Sequence, residues 1–328
     1  MAERDLGERL DHAIDSLLAG TAALGAVEPD VTPLVQVAGM LRALPSAEFK
    51  TRLKAELERR VAMTAGVDIR AAFRTVSSFI IHARAPELVE FLERIFGAEE
   101  VRRDTTAAAY GFYSEVRIGD SVVMIGGGDA TDHGNLPGAF HVYVDDCDAT
   151  YAKSIAAGAR TLAGATGEPA DRPYGERSAF VEDPFGNYWY IATRLRTGGS
   201  SEPSLQDLGS VVPFLHPSAA RKQIAFLKEA FGAAEMAVFE HGGRVVHAAV
   251  RIGDAVLEMG EPEDRSAMPH GGFFVRVEDV DAAYARALAA GAQAVRPPDD
   301  IPYGYRSGIV RDAEGYLWWP ARLTKTNP

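Results

Sequence analysis

The chain has 328 residues, a formal net charge of −12 and 47% hydrophobic residues, enough for two or three globular domains with cores of their own. The acidic balance argues against a general nucleic-acid binder, which needs a basic face to displace counterions. No stretch of about 18 apolar residues is available to span a membrane, the charged start "MAERDLGERLDHAID" does not read as a secretory leader, and a single cysteine, Cys147, excludes an internal disulfide framework. The expectation is a cytoplasmic protein.

Residues 1–66 carry a helical pattern. Leu6, Leu10, Ile14, Leu17 and Leu18 form one stripe, Thr32 and Pro33 suit a helix start, and Phe49, Leu53 and Leu57 recur four apart. This predicts a small all-α N-terminal segment that packs on the rest of the chain or docks a protein partner. It holds no catalytic constellation. "TVSSFII" then reads as a strand, and Pro86 opens a helix whose Leu88, Phe91, Leu92, Ile95 and Phe96 share one face, ending at Gly97. Strands follow, joined by a two-residue hairpin turn at Gly119-Asp120. "FHVYVDDCDATYAKSIAAGA" is a second strand and helix, with Asp146 as N-cap and Gly158 as stop. "ERSAFVEDPFGNYWYIAT" closes the region as a hairpin, and "SSEP" near residue 200 is a short linker.

The same order then recurs. "FLERIFGAEE" returns as "FLKEAFGAAE", "VRIGDSVVMIG" as "VRIGDAVLEMG", and "PYGERS" as "PYGYRS", at offsets of 129 to 135 residues. Two copies this long are tandem domains, 67–200 and 206–328, rather than a solenoid of short repeats. Each copy reads as strand, helix, three strands, twice over. Such modules predict an α+β fold with helices on one face of a sheet and a concave opposite face, lined by alternate residues of the strands.

At these motifs, together with "FHVYVDDCDATYAKSIAAGAR" and "PYGERSAFVEDPFGNYWYIAT", the chain resembles the vicinal oxygen chelate (glyoxalase/bleomycin resistance/dioxygenase) superfamily. It looks most like the PhnB-like branch. The resemblance implies paired βαβββ modules in each copy, and a pseudo-dimer formed internally by the two copies. It also implies a divalent metal held by His, Gln or Glu on the first, fourth, fifth and eighth strands. Carried over, those positions are Ser77, Met124, Ala139 and Tyr190 in the first copy, and Val212, Glu258, Gly272 and Trp319 in the second. Glu258 alone is a competent ligand, so no metal cofactor is expected. A shifted register on the same strand face would admit His141, two past Ala139, and His216, four past Val212, beside Glu258, which is the metal-binding alternative.

What remains for the concave faces is aromatic and weakly polar. The first copy offers Phe79, His141, Tyr143, Tyr188 and Tyr190; the second offers Phe214, His216, Glu258, Phe274, Arg276 and Trp319. Aromatic walls with a few polar groups suit a small aromatic or amphipathic ligand. His247, aligned with Tyr113, reads as a polar edge of the cleft. The recurring Tyr174–Arg177 and Tyr303–Arg306 loops can clamp a ligand anion or the loop itself, and recurrence beside dissimilar clefts favours the clamp. The leading expectation is a metal-free, sequestration-type binding protein. The alternatives are a metal-dependent lyase or dioxygenase, and a regulatory scaffold with degenerate domains.

Overall fold

The computed structural model describes residues 73–105, 111–127, 134–162, 167–173, 175–195, 208–264, 268–301 and 304–324. The helical segment expected over residues 1–66, the linker near 200, and Tyr174 and Tyr303 lie outside the described residues. Residues Asp68–Pro328 form one compact unit.

Four βαβββ modules follow one another. The first copy gives β1 (Val76–His82), α1 (Ala85–Phe96), β2 (Glu99–Asp104), β3 (Phe112–Ile118) and β4 (Ser121–Gly127). It continues with β5 (Ala139–Tyr143), α2 (Cys147–Ala156), the short β6 (Arg160–Thr161) and β7 (Ala170–Asp171), β8 (Glu176–Glu182) and β9 (Tyr188–Arg194). The second gives β10 (Val211–Leu215), α3 (Ala220–Phe231), β11 (Ala234–His241), β12 (Arg244–Ile252) and β13 (Ala255–Met259). It ends with β14 (Gly272–Arg276), α4 (Val280–Ala289), β15 (Gln293–Ile301), β16 (Tyr305–Arg311) and β17 (Leu317–Leu323). The local signals have physical counterparts. Pro86 lies in the first turn of α1, which ends at Gly97 with φ of 62°. The Asp146 and Asp279 side chains accept the N–H groups of Ala149 and Ala282 as N-caps.

Neither sheet belongs to one copy. The eight-stranded sheet runs β15-β16-β17-β14-β1-β4-β3-β2, and the nine-stranded path runs β11-β12-β13-β10-β5-β9-β8-β6, with β7 beside β8. Each sheet therefore joins the first module of one copy to the second module of the other. The joins are antiparallel: β1 meets β14 with Ser77 opposite Phe274, and β10 meets β5 with Val212 opposite His141. The hairpin-turn aspartates stitch these seams. Asp120 accepts the Ser210 N–H at 2.7 Å, and Asp254 accepts both the N–H and the hydroxyl of Thr75 at 2.6 Å. Arg74 spans both turns, donating to Asp120 Oδ2 and to the Asp254 carbonyl.

The helix-side cores obey a different partition. One core contains Leu88, Leu92, Ile125, Phe140 and Trp189, all from the first copy, with Val211 as the one contribution from the second. The other contains Leu227, Val250, Leu257, Phe273 and Trp318, from the second copy, with Val76 from the first. Apolar burial thus holds each copy together, while sheet pairing and the concave faces cross between copies.

The repeated "D-x-x-G-x-x-W" sentence is a buried clasp. Asp183 Oδ1 accepts the N–H groups of Phe185 and Asn187, and Oδ2 accepts the Trp189 indole N–H at 2.9 Å. Asp312 repeats this with Glu314, Tyr316 and Trp318, and adds the Gln223 amide at 2.8 Å. Arg177 forks onto Asp148 and reaches Asp171; Arg306 forks onto Asp281. Both arginines tie the start of a hairpin strand to the first turn of a helix. Replacing Asp312 with Ala orphans buried donors, each costing roughly 1–3 kcal/mol. Urea unfolding should therefore show Asp312→Ala destabilised by about 3 kcal/mol or more, whereas a change under about 0.5 kcal/mol would mean that the clasp contributes nothing.

Candidate functional site

The concave face of the eight-stranded sheet is packed with hydrocarbon. Phe79, Ile81, Met124 and Leu136 from the first copy meet Ile309, Leu317 and Trp319 from the second. Phe79 is in register with Met124 and lies edge-on to Trp319 at 5.4 Å. A side chain at Gly272 would come within 2.7 Å of both Leu136 and Trp319. The metal positions implied by the resemblance on this sheet, Ser77, Met124, Gly272 and Trp319, therefore present no ligand set. Phe274 does face this cleft, edge-on to Tyr305 at 5.6 Å. Arg276 does not: it is exposed and donates to the Phe73 carbonyl at 3.1 Å, because the last residue of β14 lies at the seam.

The nine-stranded sheet is different. The register runs from Tyr190 through His141 to Val212 across three adjacent strands, and from Phe214 to Glu258 on the next pair. That alignment points His141, from the first copy, at Glu258, from the second. Nδ1 of His141 lies 3.0 Å from Glu258 Oε2, and Nε2 lies 3.4 Å from Glu176 Oε2. The second of these contacts is out of hydrogen-bond alignment although both atoms are buried. His247 Nε2 approaches the other oxygen of Glu258 at 3.5 Å. The Tyr143 ring stacks on His141 at 4.5 Å and carries the Arg194 guanidinium at 4.3 Å.

His216 goes elsewhere. Its Nε2 bonds the Tyr190 hydroxyl at 2.5 Å, and its backbone N–H donates to the Tyr316 hydroxyl at 2.6 Å. In the strand register it is Phe214, two residues earlier, that lies opposite Glu258, so the expected grouping of His216 with His141 and Glu258 is not formed. Phe214 lies 4.9 Å from Tyr190 and 5.0 Å from His216, while Tyr188 is edge-on to His216 at 6.4 Å. Beyond the end of β5, Tyr143 and Arg194 line a cleft of about 420 Å³ with Asp145, Thr193 and Ser210.

The charged groups of this site shift one another's pKa values. Burial opposes protonation of His141, but Glu258, and then Glu176, overcome it and push its pKa up to about 9. Burial opposes ionisation of Glu258, but His141 and His247 hold it well below the usual carboxylate range. Burial, with the same carboxylates, keeps the Tyr143 phenol far above its ordinary value, and burial does so for Tyr190. At neutral pH the centre is an ion pair of His141⁺ with Glu258⁻.

A divalent ion does not fit this arrangement. The His and Glu side chains here meet in pairs, His141 on Glu258 and on Glu176 and His247 on Glu258, and among the described residues they make no group of three that could hold an ion. Val212 and Ala139 are buried apolar side chains at positions where the superfamily's ligands would stand. Sequence reasoning missed Glu176, although β8 alternation puts Glu176, Ser178 and Phe180 on the face shared by Tyr190. His247 stands at the cleft edge as expected from its alignment with Tyr113, and its contact with Glu258 has no local signal in the sequence.

The sequence matches the Glyoxalase/Bleomycin resistance protein/Dioxygenase superfamily over residues 76–191 and 217–319. An uncharacterized protein of Mycobacterium bovis is 35% identical over 118 residues, covering 32% of this chain and 78% of that protein. In fold, the chain is similar to glyoxalase I from Zea mays, with a TM-score of 0.58 and 17% identity over 76% of this chain and 93% of that one. It is also similar to a putative dioxygenase from Bacillus subtilis, with a TM-score of 0.50 and 15% identity over 76% of this chain and 84% of that one. At these identities the structural likeness speaks to fold alone.

The ion pair makes stability depend on pH in a defined direction. His141 has a raised folded-state pKa, so its contribution is complete below 6.5 and is lost as pH rises through about 9. Glu258 has a depressed one, so its contribution is present above 4.5 and is lost as pH falls. Urea unfolding should give the largest excess of wild type over Glu258→Gln between these limits, shrinking by about 3 kcal/mol toward pH 10. An excess that is flat across that range would mean His141 is neutral in the folded protein.

Proposed function

The chain belongs to the Glyoxalase/Bleomycin resistance protein/Dioxygenase superfamily, and from that premise we propose that it binds a small aromatic or amphipathic molecule in the cleft of the nine-stranded sheet, without a metal. The mode is sequestration rather than turnover. We assign it to the PhnB-like branch on the strength of its "FLERIFGAEE" and "PYGERSAFVEDPFGNYWYIAT" motifs. One observation carries the reading. Glu258, the only acid at a superfamily ligand position, turns its two oxygens to His141 and His247. Its neighbour in the set, Tyr190, engages His216 through its hydroxyl.

The rings suit the proposed ligand. Tyr143, Tyr190 and Phe214 offer faces and edges for a planar molecule, and His247 and Arg194 bring polar groups at the partly open rim. The buried ion pair beneath fixes their positions and gives the ligand a polar floor. A folded domain that binds in this way is stabilised by mass action, by about 2.7 kcal/mol at a hundredfold excess over Kd.

A thermal-shift screen of planar aromatic and amphipathic compounds against the full chain tests the reading. At least one compound should raise the Tm saturably, and Phe214→Ala should weaken its binding roughly tenfold, the loss expected when a buried aromatic contact is removed. A panel with no response, or a response untouched by Phe214→Ala and His141→Gln, would count against this cleft.

A further inference from the structure

The strands β2 and β11 are the same element in the two copies, and each ends a sheet. Their registers match residue for residue. Arg102 lies opposite Glu115 where Ala237 lies opposite Ala249, Arg103 opposite Ser114 where Val238 lies opposite Ala248, and Asp104 opposite Tyr113 where Phe239 lies opposite His247. Both strands carry a bulge at the same place, between Glu100 and Arg102 in one and between Glu235 and Ala237 in the other. The side chains past the bulge differ: Arg-Arg-Asp in the first copy is Ala-Val-Phe in the second.

An edge strand offers its outward N–H and C=O groups to any strand that arrives, and proteins blunt such edges with charge, proline, brevity or bulges. Three of the four sheet edges here are blunted in these ways. On β2, Arg102 pairs with Glu115 and Arg103 with Glu100. β15 carries Pro297, Pro298, Asp299 and Asp300, and two register shifts. β6 has only 2 residues. β11 has 8, and among the described residues no strand lies on its outer side. Its own extra residue is Met236, while the second irregularity of the pair falls on β12 at Val246, so residues 237–241 of β11 run without a bulge. Phe239 is 56% exposed, more than any other large hydrophobic side chain among the described residues, and Val246 is 45% exposed.

This edge is complementary to itself. Paired antiparallel about Phe239, it sets Phe239 opposite Phe239 of a second copy, Val238 opposite Glu240, and Ala237 opposite His241. Opposed residues then share a face, as antiparallel pairing requires. Val238 and Glu240 stand on the helix side, opposite the core residues Ala248 and Val245, and Phe239 stands on the other side with His247. The charges fit as well. Arg221 of α3 binds Glu235 and Glu240 of its own β11, on either side of Val238. An incoming Glu240, opposite Val238, therefore meets the Arg221 of the other copy, and the two-fold axis repeats the contact. A slip of one residue would set Val238 against Phe239 on the wrong face, and centring the pair on Val238 would run into the bulge at Met236.

We propose that two copies of this chain associate through β11, antiparallel and centred on Phe239, in an isologous dimer whose nine-stranded sheets become continuous. The interface does not depend on what the cleft binds. A contact of this length belongs to the small class of interfaces, under about 1,200 Å², so the dimer dissociates on dilution.

Sedimentation velocity of the full chain from micromolar to millimolar concentration tests this. A reversible monomer–dimer equilibrium is expected. Phe239→Glu, which sets like charges opposite each other at the axis, should raise the dimer Kd roughly tenfold or more. Val295→Glu, at the exposed β15 edge, should leave it unchanged. Under mild oxidation Phe239→Cys should be trapped as a disulfide-linked dimer, because directly opposed residues stand about 4.5–5.5 Å apart at Cα, within disulfide reach. Glu235→Cys, away from the axis, should not cross-link, and the buried Cys147 is common to every sample. A chain that stays monomeric at millimolar concentration overturns the proposal. So does a dimer that survives Phe239→Glu, one lost equally in Val295→Glu, or cross-linking of Glu235→Cys as ready as that of Phe239→Cys. Circular dichroism checks that each variant is folded, and the cysteine pair decides the matter even if Phe239→Glu does not fold.

Discussion

The antiparallel register between β5 and β10, with Val212 opposite His141, is the constraint on which the site depends. A sheet repeats every two residues, so one residue of slip would turn His141 and Tyr143 from the concave face to the helices. The same register brings a histidine of the first copy to a glutamate of the second, 117 residues away in sequence. Neither copy alone contains the ion pair. The Asp120 stitch anchors the entrance of β10 beside that register, and the Asp254 stitch does the same for β1 in the other sheet, each turn being bound by the strand entrance of the other copy.

Duplication gave the molecule two concave faces and freedom to furnish them differently. The helix-side cores remain within copies and are filled by comparable residues, Trp189 and Trp318 each clasped by its aspartate. The concave faces cross between copies and have diverged. One is filled with Phe79, Met124, Leu136 and Trp319; the other holds charge. Buried charge is costly unless it is paired, and Glu258 has two imidazoles, those of His141 and His247, against its oxygens. On the apolar side the same problem is solved with Arg102 and Tyr113 around Glu115.

Much of this was legible in the residues. The repeat, the helix caps at Asp146 and Asp279, the αL stop at Gly97 and the hairpin at Gly119-Asp120 are local signals, and the structure realises them locally. The loss of ligand side chains at Met124, Gly272 and Val212 was equally visible once the strands were placed. What could not be read was pairing at long range. Asp120 and Asp254 look like turn residues in sequence, and nothing local says that they also bind the entrance of the other copy's first strand. Glu176 and Glu115 are buried only when neighbouring strands pair, which sets Glu176 beside His141 and Glu115 beside Tyr113 and Arg102. His216 seemed a plausible partner for Glu258 until the β10–β13 register placed Phe214 there and left His216 to Tyr190.

The account's central claim is that the charges on the nine-stranded sheet satisfy one another and do not form a coordination shell. It is tested most directly by titrating chelator-stripped protein with Mn²⁺, Ni²⁺ and Zn²⁺ and measuring the ion retained after gel filtration, in wild type and in Glu258→Gln. The account predicts no stoichiometric retention, and the same trace in both proteins. One ion held per chain, and released by Glu258→Gln, would contradict it.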